Sequence, residues 1–216
     1  MKLVRKELRL AVSPLAWIFL AFSLMTLLPG YPILLGAFFV SLGQFQSAQL
    51  AREANDILFT ALLPIPKKDV VTAKYLTTVF FQALALLVMC LLTVLRLTVL
   101  RGAAAYVNNA LLAANLTFLG LALVIFAMYN IVFLGGFFRT AYRLGRPFVA
   151  FIVVTMLLVG LAETLPRLPG LTFLGAADGA ALTRQLPVLL AGAAVYIAGT
   201  LASLKAAQKR FEKIDL

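Results

Sequence analysis

Histidine is absent from this chain, and cysteine occurs once, at Cys90. The usual zinc ligand sets therefore cannot be assembled, and no disulfide can close within the chain. Acidic residues are scarce as well: eight in 216 residues, none in the middle of an apolar run. A lipid-modifying enzyme lacks the histidine or paired carboxylates that acid–base chemistry near a bilayer requires. A carrier that moves protons or sodium on an intramembrane carboxylate lacks that carboxylate. No G-x-x-x-x-G-K-[ST] phosphate loop is present, so ATP is not bound and hydrolysed by that route. There is no internal repeat and no low-complexity stretch. Cys90 sits inside an apolar run and reads as a small buried or lipid-facing hydrophobe.

Charge of either sign is low, at 12% of residues, while 63% are hydrophobic and the mean hydropathy is +1.02. A soluble domain is about half apolar and about a quarter charged. One water-soluble core cannot absorb the surplus, which must face lipid. The 19 basic residues against 8 acidic ones give a formal balance of +11. Nucleic-acid binding would gather those cations on one polar surface with stacking aromatics. Here they form short clusters between apolar runs, as in a chain oriented in a membrane, so nucleic acid is not an expected partner.

The fold class expected is an all-α membrane protein of about six transmembrane helices in one transmembrane domain, residues 1–216. At the N-terminus, Lys2, Arg5, Lys6 and Arg9 fall within an arc of about 100° at helical spacing, apart from Val4, Leu8 and Val12. Residues 1–12 thus read either as an amphipathic helix in the membrane interface, its basic face toward anionic lipid headgroups, or as a solvated basic tail. The spans expected are 14–28, 33–50, 75–95, 110–138, 148–161 and 187–204. A crossing takes about 20 residues, which makes the first and fifth short. The first run is followed by Pro29-Gly30-Tyr31-Pro32 rather than a small-residue cleavage site, so a retained helix is expected and not a signal peptide. Residues 162–186 combine Pro166, Pro169 and Gly170 with Leu165, Leu168, Leu171, Phe173 and Leu174. That composition fits a short outer segment lying at the interface. Glu163, at its edge, is expected to meet headgroups or Arg167.

Lys and Arg distribute as fifteen on one side of these spans against four on the other (Arg96, Arg101, Arg167 and Arg184). The positive-inside rule then places both termini, residues 51–74 and residues 139–146 in the cytoplasm.

The richest polar stretch runs from Arg52 to Lys74. Asn55 or Asp56 can cap a short helix whose apolar face is Leu58, Phe59 and Leu62. Pro64 ends it, because a residue before proline avoids the helical region. Asp69 then stands near the start of the next helix, where a negative charge is favoured. Such a helix is either at rest among the headgroups or a docking knob for a soluble partner. Stiff proline flanks around an apolar helix favour the second.

The phrase Leu63-Pro64-Ile65-Pro66-Lys67-Lys68-Asp69-Val70-Val71-Thr72-Ala73-Lys74-Tyr75-Leu76, leading into a span after a short acidic-polar helix, resembles the membrane (permease) subunits of bacterial type-2 ABC exporters. The six-span layout, basic N-terminal helix and apolar outer segment extend the resemblance over essentially the whole chain. A second proline, Pro66, departs from the family's pattern. The resemblance implies that 55–63 is a coupling helix seated on a separate ABC ATPase subunit. Contact roles pass to Asp56, Leu58, Phe59, Leu62, Pro64, Lys67 and Lys68. It implies a homodimer, or a heterodimer with a sibling chain, in the bacterial cell (inner) membrane, with no cofactor in this chain and ATP and Mg held by the ATPase. Family members export peptides, antibiotics or lipids. A non-transporting membrane scaffold is the alternative with the same topology.

Within the spans, Gln44, Gln46, Gln49, Gln82, Asn115 and Asn130 are polar amides that hydrogen-bond neighbouring helices or face a watery path. Gln44 and Gln82 are the candidates for the substrate path. Ala194, Ala198 and Ala202 form a small-residue ladder suited to close packing, within the chain or between copies.

Overall fold

The computed structural model describes residues 2–61, 65–107, 109–139 and 143–213. Among them every regular element is helical. Helix α1 (Lys2–Lys6) widens into a π-helical turn, Glu7–Ala11, and the chain then bends by 90° into α2 (Pro14–Leu20). The sequence encodes that corner. Ser13 Oγ accepts from the Leu15 amide at 3.2 Å and Pro14 occupies the first helical position, where its missing N–H costs nothing. The Ser13 amide itself donates to Ser47 Oγ at 3.0 Å. Residues Ala21–Leu27 continue α2 as a tighter 3-10 helix.

Helix α3 (Leu35–Glu53) leads to α4 (Asp56–Ala61), and α5 (Lys67–Thr98) runs the full depth of the bundle. A short α6 (Ala104–Val107) follows. Next come α7 (Leu116–Met128), its π-helical continuation Tyr129–Leu134, and α8 (Gly135–Arg139). Helix α9 (Gly145–Thr164) and α10 (Gly179–Phe211) are joined through 3-10 turns at Leu165–Arg167 and Thr172–Leu174.

Four helical stretches are long and apolar enough to cross a membrane unaided: Lys67–Thr98, Leu116–Arg139, Gly145–Arg167 and Gly179–Phe211. The bent pair Leu3–Ala11 and Pro14–Leu27 qualifies as a fifth if taken together. The α3 helix, at 19 residues, is not among them, because Gln44, Gln46, Gln49 and Arg52 dilute its hydropathy. Six expected spans thus meet four that stand alone, one short bent one, and one glutamine-rich helix.

The stretch Leu116–Arg139 is the centre of the bundle. Within its most apolar window 67% of residues are buried inside the chain, against 17–33% for the other three. Around it packs an aromatic core in which Phe45 stacks on Phe148 at 3.7 Å and Tyr129 meets Phe151 edge-on at 5.2 Å. Helix α10 approaches α7 more closely than any side chain permits. A Cβ on Gly192 would lie 2.3 Å from the Gly120 carbonyl oxygen. The Ala194-Ala198-Ala202 ladder lies on the exposed side of α10, so the close contact within the chain is made by these glycines.

Two boundaries differ from the sequence expectation. Pro187 does not open the last span but lies inside α10, which starts two turns earlier because Asp178 Oδ2 caps the Ala181 amide at 3.1 Å. The outer segment is shortened accordingly. Likewise α7 begins only at Leu116, where Asn115 Oδ1 accepts from the Phe118 amide at 3.0 Å. The same Asn115 amide donates to Leu174 O (2.8 Å) and Ala176 O (3.0 Å), pinning the outer segment down. Glu163 makes no ion pair with Arg167 among the described residues; its Oε2 instead accepts from the Leu112 amide at 2.8 Å.

Candidate functional site

Helix α3 ends through a reversal at Asn55, whose φ of 50° lies in the left-handed region that asparagine tolerates better than most residues. The turn delivers Asp56 to the start of α4, directly against α1 and α5. Lys6 Nζ pairs with Asp56 Oδ1 and donates to Thr60 Oγ1 at 2.8 Å. Lys74 Nζ reaches Asp56 Oδ2 at 3.1 Å and also pairs with Glu7 Oε2. Lys6 closes the ring on Glu7 Oε1 at 3.3 Å. Two cations and two anions from three helices thus form one network, with Glu7 only 3% exposed. Burial alone would raise the Asp56 carboxyl, but Lys74 and Lys6 together outweigh it and hold the group below its ordinary 3.8.

This geometry gives Asp56 a part within the chain. The resemblance implies that it contacts a partner; in the fold its carboxylate ties α4 to the N-terminal helix and to α5. Its neighbour Phe59 points the other way and is 65% exposed. Lys68 is exposed and Lys67 half-buried at the start of α5. Leu62 and Pro64 lie outside the described residues, as does the side chain of Leu58.

Gln44 and Gln82 separate. Gln44, on α3, is 7% exposed, and neither its amide nitrogen nor its oxygen has a hydrogen-bond partner among the described residues. It borders a cavity of about 50 Å³ shared with Glu7, Ser47, Lys74, Thr77 and Thr78. That volume is large enough to hydrate. The Glu7–Lys74 ion pair forms part of its wall, so the cavity lies directly behind the α4 network.

Gln82 is fully buried, and its amide is fully engaged. Its Nε2 donates to Asn130 Oδ1 at 2.9 Å, while its Oε1 accepts from Asn130 Nδ2 (3.0 Å) and Tyr196 OH (2.9 Å). Asn130 Nδ2 donates further to Thr200 Oγ1 at 2.9 Å. The Asn130 carbonyl, which takes the Gly135 amide of the π-helical turn, also accepts from Ser203 Oγ at 2.8 Å and Tyr75 OH at 3.3 Å. In this conformation Gln82 pins α5, the centre of the bundle and α10 to one another.

Over residues 1–206 the sequence matches a family described as ABC-2 family transporter protein. The chain belongs to that family. No curated protein and no solved structure matches it.

As an ABC-2 membrane protein the chain is a multi-pass transport permease and not itself the catalytic component, and its family implies an ABC ATPase partner. Sequence reasoning missed three members of the α4 network: Lys6, Glu7 and Lys74. Helical spacing sets Lys6 among headgroup-facing cations and gives Lys74 no role. A signal did exist. Glu7 is the single acid in a basic helix of an acid-poor chain, and a lone acid there has cations to meet.

Proposed function

We propose that this ABC-2 chain is the transmembrane subunit of an ATP-driven exporter in the bacterial cell membrane, with both termini and α4 on the cytoplasmic side. Two such chains, or this one and a sibling, complete a translocation path. Each α4 seats in a groove on an ATPase subunit, which binds ATP and Mg and hydrolyses the nucleotide. The cargo is a peptide, an antibiotic or a lipid-like molecule.

The observation that carries this reading is the two-sided character of α4. Its outer side presents Phe59 to the surroundings, while its inner side is clamped by Lys6 and Lys74. A push on such a helix cannot be absorbed locally. It passes to α1 and α5, and to the cavity where Gln44 stands unpartnered. Gln44 is the polar contact proposed to meet cargo from that side. The exposed alanine ladder of α10 supplies a surface on which a second copy can pack. Movement of cargo then follows from different affinities in the two states, which ATPase closure alternates.

The test is a tagged pull-down of the full chain from bacterial membranes in mild detergent. Retrieval of an ATPase subunit that is lost in Phe59→Asp and in Leu62→Asp, with the permease still folded, supports the reading. A folded permease that retrieves no ATPase in several detergents overturns it and promotes the scaffold alternative.

A further inference from the structure

The end of the bundle opposite α4 holds a second cavity, of about 360 Å³, that the exporter reading does not use. It is bordered by Arg96 at the end of α5, by Arg101, Tyr106 and Asn109 in the following connection, and by Asp178 ahead of α10. Arg96 is only 6% exposed. Its Nη1 donates to Thr26 O at 2.8 Å, and its guanidinium carbon lies 4.3 Å above the Tyr106 ring. Tyr106 is fixed in turn by donating to Leu27 O at 2.8 Å. One arginine is therefore held rigid at the wall of the cavity, with one of its five N–H donors used on that carbonyl.

The balance of donors and charge decides what fits. Arg96 and Arg101 bring two cations, and neither makes an ion pair within 4.0 Å among the described residues. Asp178 brings one anion, and its Oδ2 is already occupied in capping the Ala181 amide. Asn109 Oδ1 accepts from the Leu111 amide at 3.2 Å, which leaves its Nδ2 as a buried donor without a partner. The cavity thus carries a net positive charge and unmatched N–H groups from two guanidinium forks and one amide. Guanidinium forks match tetrahedral oxyanions by paired hydrogen bonds, and loss of solvent strengthens those bonds.

We propose that this cavity is a phosphate-binding site, occupied by the phosphodiester of an anionic lipid headgroup or by free inorganic phosphate. Arg96 is the fixed fork, Arg101 the exposed second cation and Asn109 Nδ2 the third donor. The site is independent of α4 docking, so failure of the exporter reading would leave it standing.

Delipidated full-length protein in neutral detergent is titrated with phosphatidylglycerol, with phosphatidylcholine and with inorganic phosphate. Lipid binding is followed by native mass spectrometry and phosphate binding by equilibrium dialysis. Saturable binding is expected, weakened at least tenfold by Arg101→Glu and also weakened by Asn109→Leu. Arg167→Glu, an exposed arginine outside the cavity lining, leaves it unchanged. Phosphatidylglycerol binding alone assigns the site to a lipid, and inorganic phosphate binding alone assigns it to the free ion. Binding of both makes the phosphate group itself the recognised feature. Absence of saturable binding by either, or binding that Arg101→Glu weakens no more than Arg167→Glu does, overturns the proposal. Arg101 is exposed and touches none of the bonds that hold Arg96, so its variant tests the site without unfolding it.

Discussion

The two ends of this molecule treat charge in opposite ways. At the α4 end, Lys6, Lys74, Glu7 and Asp56 neutralise one another across three helices, and Thr60 takes up a further donor. At the other end, Arg96 leans on a carbonyl and a tyrosine ring, and Arg101 has no carboxylate within ion-pair distance among the described residues. A closed network makes a joint, because each ion is a reason for the other helices to stay in place. An open one makes a receptor, because its donors are still available. Charge counting along the sequence weights both ends only by number, fifteen cations against four. The count alone does not show this pairing: Lys6 and Lys74 meet carboxylates, whereas Arg96 and Arg101 meet none within ion-pair distance among the described residues.

The sharpest way to break this contrast is to remove one anion from the closed end. Asp56→Ala leaves Lys6 and Lys74 sharing Glu7 alone, with side chains only 21% and 14% exposed. Removing one partner of a buried ionic network costs about 3 kcal/mol. Thermal unfolding in detergent, read from the fluorescence of Trp17, should show that loss. At the open end, Arg101→Gln should stay within about 0.5 kcal/mol of the parent, because it disturbs no internal partner. Equal effects at both positions would erase the distinction.

A smaller loss is expected in the shaft that joins the two ends. At Gly192 an added Cβ meets the Gly120 carbonyl oxygen at 2.3 Å, and that atom belongs to the backbone of α7, not to a side chain that can swing away. Gly192→Ala should cost about 2 kcal/mol by forcing the helices apart. Gly145→Ala, where a Cβ meets nothing within 4 Å, is the control and should cost far less. If both substitutions are silent, α10 does not pack on α7 this closely.

Much of the fold is legible in the residues alone. Long apolar runs, Pro29-Gly30-Tyr31-Pro32 and Pro66 delimit the helices, because bulk hydropathy and proline act locally. The caps were less visible: Asn115 and Asp178 move two helix starts, since a capping side chain overrides apolar length. At the candidate site the phrase around Lys67 announced a short helix and its family, but not which way Asp56 turns. That depends on a left-handed Asn55 and on two cations, one 50 residues before Asp56 and the other 18 after it. Periodicity carries no information about such pairings. The division between Gln44 and Gln82 was hidden for the same reason, because only the fold brings Asn130 to one and leaves the other against a cavity.

That division gives the third expected effect. Asn130→Leu deprives Gln82 and Thr200 of an amide partner together, yet such bonds inside a membrane bundle are individually modest. A loss of about 1 kcal/mol is expected. Gln44→Leu, which breaks no bond among the described residues, should be neutral or slightly stabilising. If cargo meets Gln44, transport falls in Gln44→Leu while its unfolding temperature does not.

The smallest effect near neutral pH returns to the closed end. The Asp56 carboxyl is held below 3.8 in the fold, despite burial that opposes ionisation, because Lys74 and Lys6 favour the charged form. A group with a depressed folded pKa contributes stability that is fully present above its unfolded value. That contribution falls away as pH drops below 3.8 and then through the lower folded value. Between pH 6 and 8 the joint should therefore show no dependence attributable to Asp56. Asp56→Asn should lie below the parent by a constant margin there, and the two curves should converge only in acid below about pH 4, where the parent carboxyl is itself protonated. Convergence already at pH 6 would mean that Asp56 titrates well above its ordinary range. Burial would then outweigh the two lysines, and the α4 end would not be the closed one.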